Sequence, residues 1–442
     1  MERLNIPARL ELVLHLFKWL LLASAVAVLA GSASALFLFG LEWVTGTRGK
    51  YAWLVWLLPV AGFVVGWVYL RFGQSVEAGN NLLLEEIHDS QRVIPLRMAP
   101  LVLGGTLVSH LFGASVGREG TAVQMGGALA DQLNRLFRLN AEDRRIILMA
   151  GISGGFASVF GTPLGAAIFA LEVLATGRIR YEAILPCLIA AIVADQVALL
   201  WGIQHDHYLL PQIPEISLWG LLAMIIAGAA FGLTGKVFAV ATHALTTFMR
   251  RRISYSPLRP FIGGLLIAAA AWFLGGERYL GLGIPVIMEA FEQPLPAYDF
   301  AAKMLFTIAS LGSGFKGGEV TPLFFIGATL GNALSPLLNM PFGLMAAVGF
   351  VAVFAGAANT PIASTLMAME LFGAEIGLFA GVACVVSYLF SGHASIYSAQ
   401  RIGHSKHGRL PEGLRLGELA DYLRRQKKGD DSQRSNTDNK DH

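Results

Sequence analysis

Charge and cysteine are scarce in this sequence. Of its 442 residues 14% are Asp, Glu, Lys or Arg and 55% are hydrophobic, with a formal net charge of +3 and a mean hydropathy of +0.58. That composition excludes an ordinary soluble domain and describes a chain that crosses a lipid bilayer several times. The small net charge, with no basic patch interleaved with aromatics, excludes a nucleic-acid partner. The two cysteines, Cys187 and Cys384, each lie inside an apolar run and read as buried thiols, not as a disulfide. Neither a His-Glu-x-x-His pattern nor paired membrane aspartates occur, which argues against an intramembrane enzyme. His205-Asp206-His207 lacks a fourth ligand and reads as loop polarity, not a metal site, and no cofactor is called for.

What is present is apolar length, interrupted by glycine. Residues 19–41 and 51–70 are long enough to cross a hydrocarbon core about 30 Å thick, which takes roughly 20 helical residues. Other apolar runs are shorter and broken by glycine or proline, which is tolerated at membrane depth only inside protein or along a polar cavity. Residues 1–17 read as an amphipathic helix on the membrane surface; the apolar run around residues 32–35 is too long for a cleavable signal. The expected organisation continues with a first span at 18–51, a membrane repeat at 52–200 and a connecting loop and helix at 201–254. A second repeat at 255–390, a C-terminal helical region at 391–425 and a disordered polar tail at 426–442 complete it.

The repeat rests on three matches in the same order. Glu119 in Gly117-Arg118-Glu119-Gly120-Thr121 matches Glu319 in Gly317-Gly318-Glu319-Val320-Thr321, 319 − 119 = 200. Thr162-Pro163 with Glu172 matches Thr360-Pro361 with Glu370, 360 − 162 = 198, and Gly79-Asn80-Asn81 matches Gly281-Leu282-Gly283, 281 − 79 = 202. Repeats with breaks at matching places point to a transporter whose site lies near the midplane, where helix N-termini converge. Carboxylates at two equivalent breaks favour that over a bundle whose glycines merely let helices pack. The predicted fold is therefore an all-α polytopic membrane protein of two inverted-topology repeats with tilted and broken helices.

At the first break Gly117 and Gly120 permit turns, and Thr121 opens a helix whose leading amides lack partners, which makes an anion site. Glu119 stands beside it. A carboxylate imitates an anion when charged and leaves such a site when protonated, so one residue can serve as gate and proton carrier.

Gly117-Arg118-Glu119-Gly120 before a Gln124-Met125-Gly126-Gly127 helix closely resembles the G-R-E-G-P segment of the CLC chloride channels and proton-coupled transporters. Gly281-Leu282-Gly283-Ile284-Pro285 is similar to that family's G-S-G-I-P cassette, and the Thr162-Pro163 segment and Tyr397 fall in the family's order. The resemblance covers about residues 15–405. In the first repeat Asn80 stands where the family's anion-coordinating serine would be, Thr121 replaces proline, and Val173 occupies the place of the chloride transporters' internal proton glutamate. The family's G-x-F-x-P helix start reads Glu319-Val320-Thr321-Pro322 here. These departures together resemble the fluoride/proton antiporter branch. The resemblance implies a CLC-like transporter, not an enzyme, that exports fluoride in exchange for protons. It further implies a homodimer in the cell inner (plasma) membrane with both termini cytoplasmic. The alternative is a chloride/proton exchanger or passive chloride channel of the same family.

On this reading Glu119 gates and carries protons. Glu319 is either a second proton acceptor or a carboxyl that accepts a hydrogen bond from Thr321 and shapes the filter. Fluoride is small and strongly hydrated, so it needs close donors: Asn80, Thr321 and the helix-end amides of Gly117, Gly120, Thr121 and Val320. Phe325 either turns its electropositive ring edge to the path or is plain core. Tyr397 either donates its hydroxyl to the anion or anchors a helix at the interface. Arg118 either neutralises a nearby carboxylate or caps the preceding helix. Glu172 and Glu370 read as structural or aqueous-face residues.

Overall fold

The computed structural model describes residues 8–205, 208, 213–408 and 410–426. Its first half contains α1 (Ala8–Lys50), α2 (Leu58–Val68), α3 (Asn80–His88), α4 (Met98–Phe112), α5 (Glu119–Phe137), α6 (Ala141–Phe160), α7 (Pro163–Glu172) and α8 (Ile184–Leu200). The second half repeats them as α9 (Leu218–Arg252), α10 (Leu258–Phe273), α11 (Ile284–Glu292), α12 (Asp299–Ser313), α13 (Val320–Leu338), α14 (Phe342–Ala358), α15 (Pro361–Phe372) and α16 (Gly377–Phe390). Counterparts agree in length: 9 residues in α3 and α11, 15 in α4 and α12, 19 in α5 and α13. The strands are a parallel pair of two residues each, β1 (Ala175–Thr176) and β2 (Arg401–Ile402), tying the chain's end to the loop after α7.

The structural units are wider than the matched segments. Helix α1 packs on α5, α6 and α8 as α9 packs on α13, α14 and α16. They are counterparts, so the repeats run from α1 to α8 and from α9 to α16, and the helix expected as a connector belongs to the second repeat. Residues 8–17 are likewise the opening turns of the 43-residue α1, because no glycine or proline separates them from the span. Residues 1–7, 206, 207 and 427–442, on which part of the surface-helix, loop and tail expectations fall, lie outside the described residues.

The two halves are related by inversion, and two reciprocal contacts mark the axis. Glu172 at the end of α7 accepts hydrogen bonds from the amides of Ile362 (3.1 Å) and Ala363 (2.9 Å) at the start of α15. Glu370 on α15 accepts those of Leu164 and Gly165, both 2.8 Å, at the start of α7. Each carboxylate thus caps the partner helix's N-terminus, which requires the two helices to run antiparallel; this gives both glutamates a structural role. Between the repeats the Gly117 amide donates to the Gly318 carbonyl (2.6 Å) and the Gly318 amide to the Gly117 carbonyl (2.8 Å).

Within each repeat the pair behind the break is packed backbone to backbone. A Cβ on Gly126 of α5 would lie 2.3 Å from the Gly151 carbonyl of α6, and one on Gly327 of α13 would lie 2.0 Å from the Gly349 carbonyl of α14. Small residues allow this approach where van der Waals contact, not expulsion of water, holds helices together. Arg144, 6% exposed, joins α6 to Asp131 (2.7 Å) and Glu86 (3.0 Å), which fixes α3 and its first residue, Asn80. Cys187 and Cys384 are buried and free.

Candidate functional site

The site forms where α5 and α13 begin. Gly113 (φ 92°) and Gly314 (φ 106°) end α4 and α12 in the left-handed conformation, a helix stop that glycine adopts without strain. Each chain then turns through the reciprocal Gly117 and Gly318 bridge and enters its helix. That bridge sets the register: 318 − 117 = 201, so Arg118 and Glu319 are the equivalent N-caps, and Glu119 corresponds to Val320. The match of Glu119 with Glu319 is therefore one residue out, because it pairs the two carboxylates and the threonines two residues on, whereas the bridge pairs Gly117 with Gly318. Gly79 and Gly283 are likewise the equivalent N-caps of α3 and α11, 283 − 79 = 204, not 202.

Glu119 is fully buried and does not rest on its own helix. Its carboxylate lies at the N-terminus of α13, where it accepts the Thr321 amide (3.1 Å) and the Thr321 hydroxyl (2.8 and 2.7 Å to the two oxygens). The side chain thus occupies an anion position built by the opposite repeat. Arg118 Nε stands 3.6 Å from Glu119 Oε1, which favours the neutralising role over the capping one.

The structure places the other expected residues in three groups. Asn80, Glu319 and Tyr397 line one cavity of about 230 Å³. Among the described residues, Asn80 Oδ1 and Glu319 Oε2 are buried atoms without a hydrogen-bond partner. Thr321 does not bond to Glu319; its hydroxyl is engaged by Glu119. Arg118 lines a second cavity of about 580 Å³, together with Glu42, Leu282 and Ile284. Because α3 opens on the first cavity and its counterpart α11 on the second, inversion puts the cavities on opposite sides of the Gly117 and Gly318 bridge. Glu119 and Thr321, absent from both linings, stand between them.

The remaining expected donors are otherwise committed. The Gly117 amide is used by Gly318, and the Thr121 hydroxyl bonds that of Thr106 (2.7 Å). Gly120 contributes space: a Cβ there would come within 3.1 Å of Asn80 Nδ2. Val320 is the buried first residue of α13. Phe325 is fully buried against Gly283, with the Lys303 ammonium 5.1 Å from its ring centroid, and like Glu119 and Thr321 it lines neither cavity.

The segment after Tyr397 is held by side chains and carbonyls of the first and second repeats. Asn81 Oδ1 accepts the Ala399 amide (2.9 Å), and Gln400 donates to the carbonyls of Val173 (2.9 Å) and Ala358 (3.0 Å). The residue expected to matter only by substitution, Val173, therefore anchors the Tyr397 segment through its backbone. Sequence reasoning missed Lys316, which lines the Asn80 cavity. Its signal was a lone cation inside a glycine break, three residues before Glu319.

With this geometry in view, a family model described as the voltage gated chloride channel matches residues 61–392. The chain belongs to the CLC family. A CLC relative from Pseudomonas syringae pv. tomato, named a chloride/fluoride channel protein, is 61% identical over 96% of this chain and 95% of its own. A crystal structure of a CLC-type fluoride/proton antiporter superposes with a TM-score of 0.85 at 36% identity, over 87% of this chain and 98% of that one. A slow cyanobacterial chloride/proton antiporter gives a TM-score of 0.75 at 20% identity over 85% and 94%, which shows the shared fold.

Proposed function

We propose that this CLC protein is a fluoride/proton antiporter that exports fluoride. The observation that carries the reading is the Glu119 carboxylate seated on the Thr321 amide and hydroxyl, between two cavities. A carboxylate there is a tethered anion. Fluoride arriving at the same donors displaces it; the displaced carboxylate takes a proton from the facing cavity; and the neutral side chain no longer competes for the donors. Release of that proton toward the opposite cavity, from which the fluoride came, recharges the carboxylate, and its return expels the fluoride into the cavity that supplied the proton, so proton and anion move in opposite directions.

The donor set suits fluoride. An amide and a hydroxyl, each placed for an oxygen at about 2.7–3.1 Å as hydrogen-bond geometry requires, replace the water that a small anion gives up. Asn80 adds a side-chain amide close to Gly120. Glu319, with one oxygen unpartnered in the Asn80 cavity, exchanges protons there in this reading, since Val173 offers no carboxyl.

Orientation and assembly belong to the same proposal. Arg250, Arg259 and Lys316 line the Asn80 cavity, and α9 ends in Arg250-Arg251-Arg252. The bias of basic residues towards the cytoplasm puts this cavity on the cytoplasmic face of the plasma membrane. The C-terminal segment is on that face too, since Arg401 pairs with Asp89 and Arg415 with Glu85 on and beside α3. Inversion then sets the start of α1 on the side where α9 ends. A homodimer is proposed from family membership.

Chloride transport is the second reading, favoured by the paired wording of the 61% identical relative's name. Purified protein in liposomes decides between them. Fluoride should move much faster than chloride, and a fluoride gradient should drive protons the opposite way; equal rates for the two anions would sink the fluoride assignment.

A further inference from the structure

We propose that Lys316 is the anion-docking residue of the Asn80 cavity, the cation that takes fluoride from the vestibule and passes it toward Asn80 and the Thr321 donors; this rests on the antiport reading. Lys316 sits in the turn between α12 and α13, on the same four-residue stretch as Glu319, and both side chains line the cavity with Asn80 and Tyr397.

Its surroundings hold the ammonium against a ring, with no carboxylate in ion-pair contact. The side-chain stem lies over α4 at Gly105, where a Cβ would come 3.0 Å from Lys316 Cβ and 3.1 Å from its Cγ. The ammonium then stands 4.1 Å from the centroid of the Tyr69 ring. Tyr69, 8% exposed, is the first residue of a single π-turn, Tyr69–Gly73, a local widening of the helix that re-aims side chains and is frequent at functional sites. A ring face compensates part of the lost hydration without a bonded counter-ion.

The other cations of the cavity are spent. Arg250 reaches Glu77 at 3.5 Å, and the Arg259 guanidinium donates to the carbonyls of Ile253 (2.9 Å) and Ser254 (3.4 Å). His243 bonds the Ser395 carbonyl at 2.9 Å. Among the described residues Lys316 has no hydrogen bond or ion pair; it has the Tyr69 ring contact, and Glu77 of the same cavity, itself paired with Arg250, acts on it only through space. An ammonium is a compact, strongly hydrated charge with three donors, which pairs with a hard anion of similar character.

The test measures initial fluoride flux against fluoride concentration on the Asn80-cavity side of oriented proteoliposomes. Lys316→Met should raise the half-saturating fluoride about tenfold, the low end of what a focusing charge does to local ion concentration. The maximal rate and the proton-to-fluoride ratio should stay near wild type, and the difference should shrink as inert salt screens the charge. Lys316→Cys provides the second arm: attaching an aminoethyl group to the introduced thiol returns an ammonium to the same folded protein and should restore the half-saturation. Cys187 and Cys384 are buried, so the wild type treated with the same reagent is the control. Unchanged half-saturation in Lys316→Met, a fall in maximal rate alone, or no recovery on aminoethylation would overturn the docking role. Wild-type liposomes that move no fluoride would refute the antiport reading instead.

Discussion

Replacing Glu119 with glutamine keeps the side chain's size and removes its proton and charge. In the wild type the carboxylate accepts one amide and one hydroxyl hydrogen from Thr321. Hydrogen bonds to a charged group contribute about 1.5–3 kcal/mol each against about 0.5–1.5 for neutral ones, so each of the two bonds weakens by about 1–1.5 kcal/mol. The glutamine NH₂ must also face a Thr321 donor or turn away from it. Together the docked side chain loses about 2–4 kcal/mol, which lowers its occupancy relative to fluoride about 30- to 700-fold. In liposomes with a fluoride electrode and an internal pH dye, fluoride-driven proton movement should vanish, while passive fluoride flux persists or rises as the gate loosens. Glu119→Ala, which neither binds the Thr321 donors nor protonates, should give the same uncoupled flux. Uphill proton movement at near wild-type rates in Glu119→Gln would refute the gate-and-carrier role and leave the carboxylate a helix cap.

Glu319→Gln should reduce coupled fluoride and proton exchange in protein that still elutes as the wild type does on size exclusion; unchanged fluxes would make Glu319 structural. Glu172→Ala should lower the thermal unfolding temperature in detergent, since two amides of α15 lose their acceptor at about 1–3 kcal/mol each. Glu370→Ala should act in the same direction through α7, and a change in coupling ratio without loss of stability in either variant would contradict the capping role. His393, just beyond α16, is pushed down to about 4 by burial, with His407 and Lys406 adding to the effect. A histidine held neutral in the fold stabilises above its usual value near 6.5, and that stability is lost as pH falls from there through about 4. Limited proteolysis of the segment after Ser391 should therefore accelerate over that window in wild type and less in His393→Asn; equal acceleration would remove His393 as the cause.

The chemistry of single residues and short segments was legible in the sequence. Low charge and long apolar runs determine a polytopic membrane chain. The helix starts after Thr162 and Thr360 and the break that carries Glu119 are set by backbone geometry within a few residues. Relations between residues some two hundred positions apart were not legible. The sequence placed Glu119 beside its own helix and opposite Glu319; the fold seats it on Thr321 and makes Arg118 the counterpart of Glu319. Only the reciprocal bridge of Gly117 and Gly318 decides that register, because two main chains must meet before it exists. The same holds for Glu172 and Glu370, ambiguous at helix ends until the partner helix presents its free amides. The contacts of Phe325 with Lys303 and of Lys316 with Tyr69 are decided by packing in the same way. A helix period tells which residue types share a face, but which surface that face meets depends on how the two repeats close on each other.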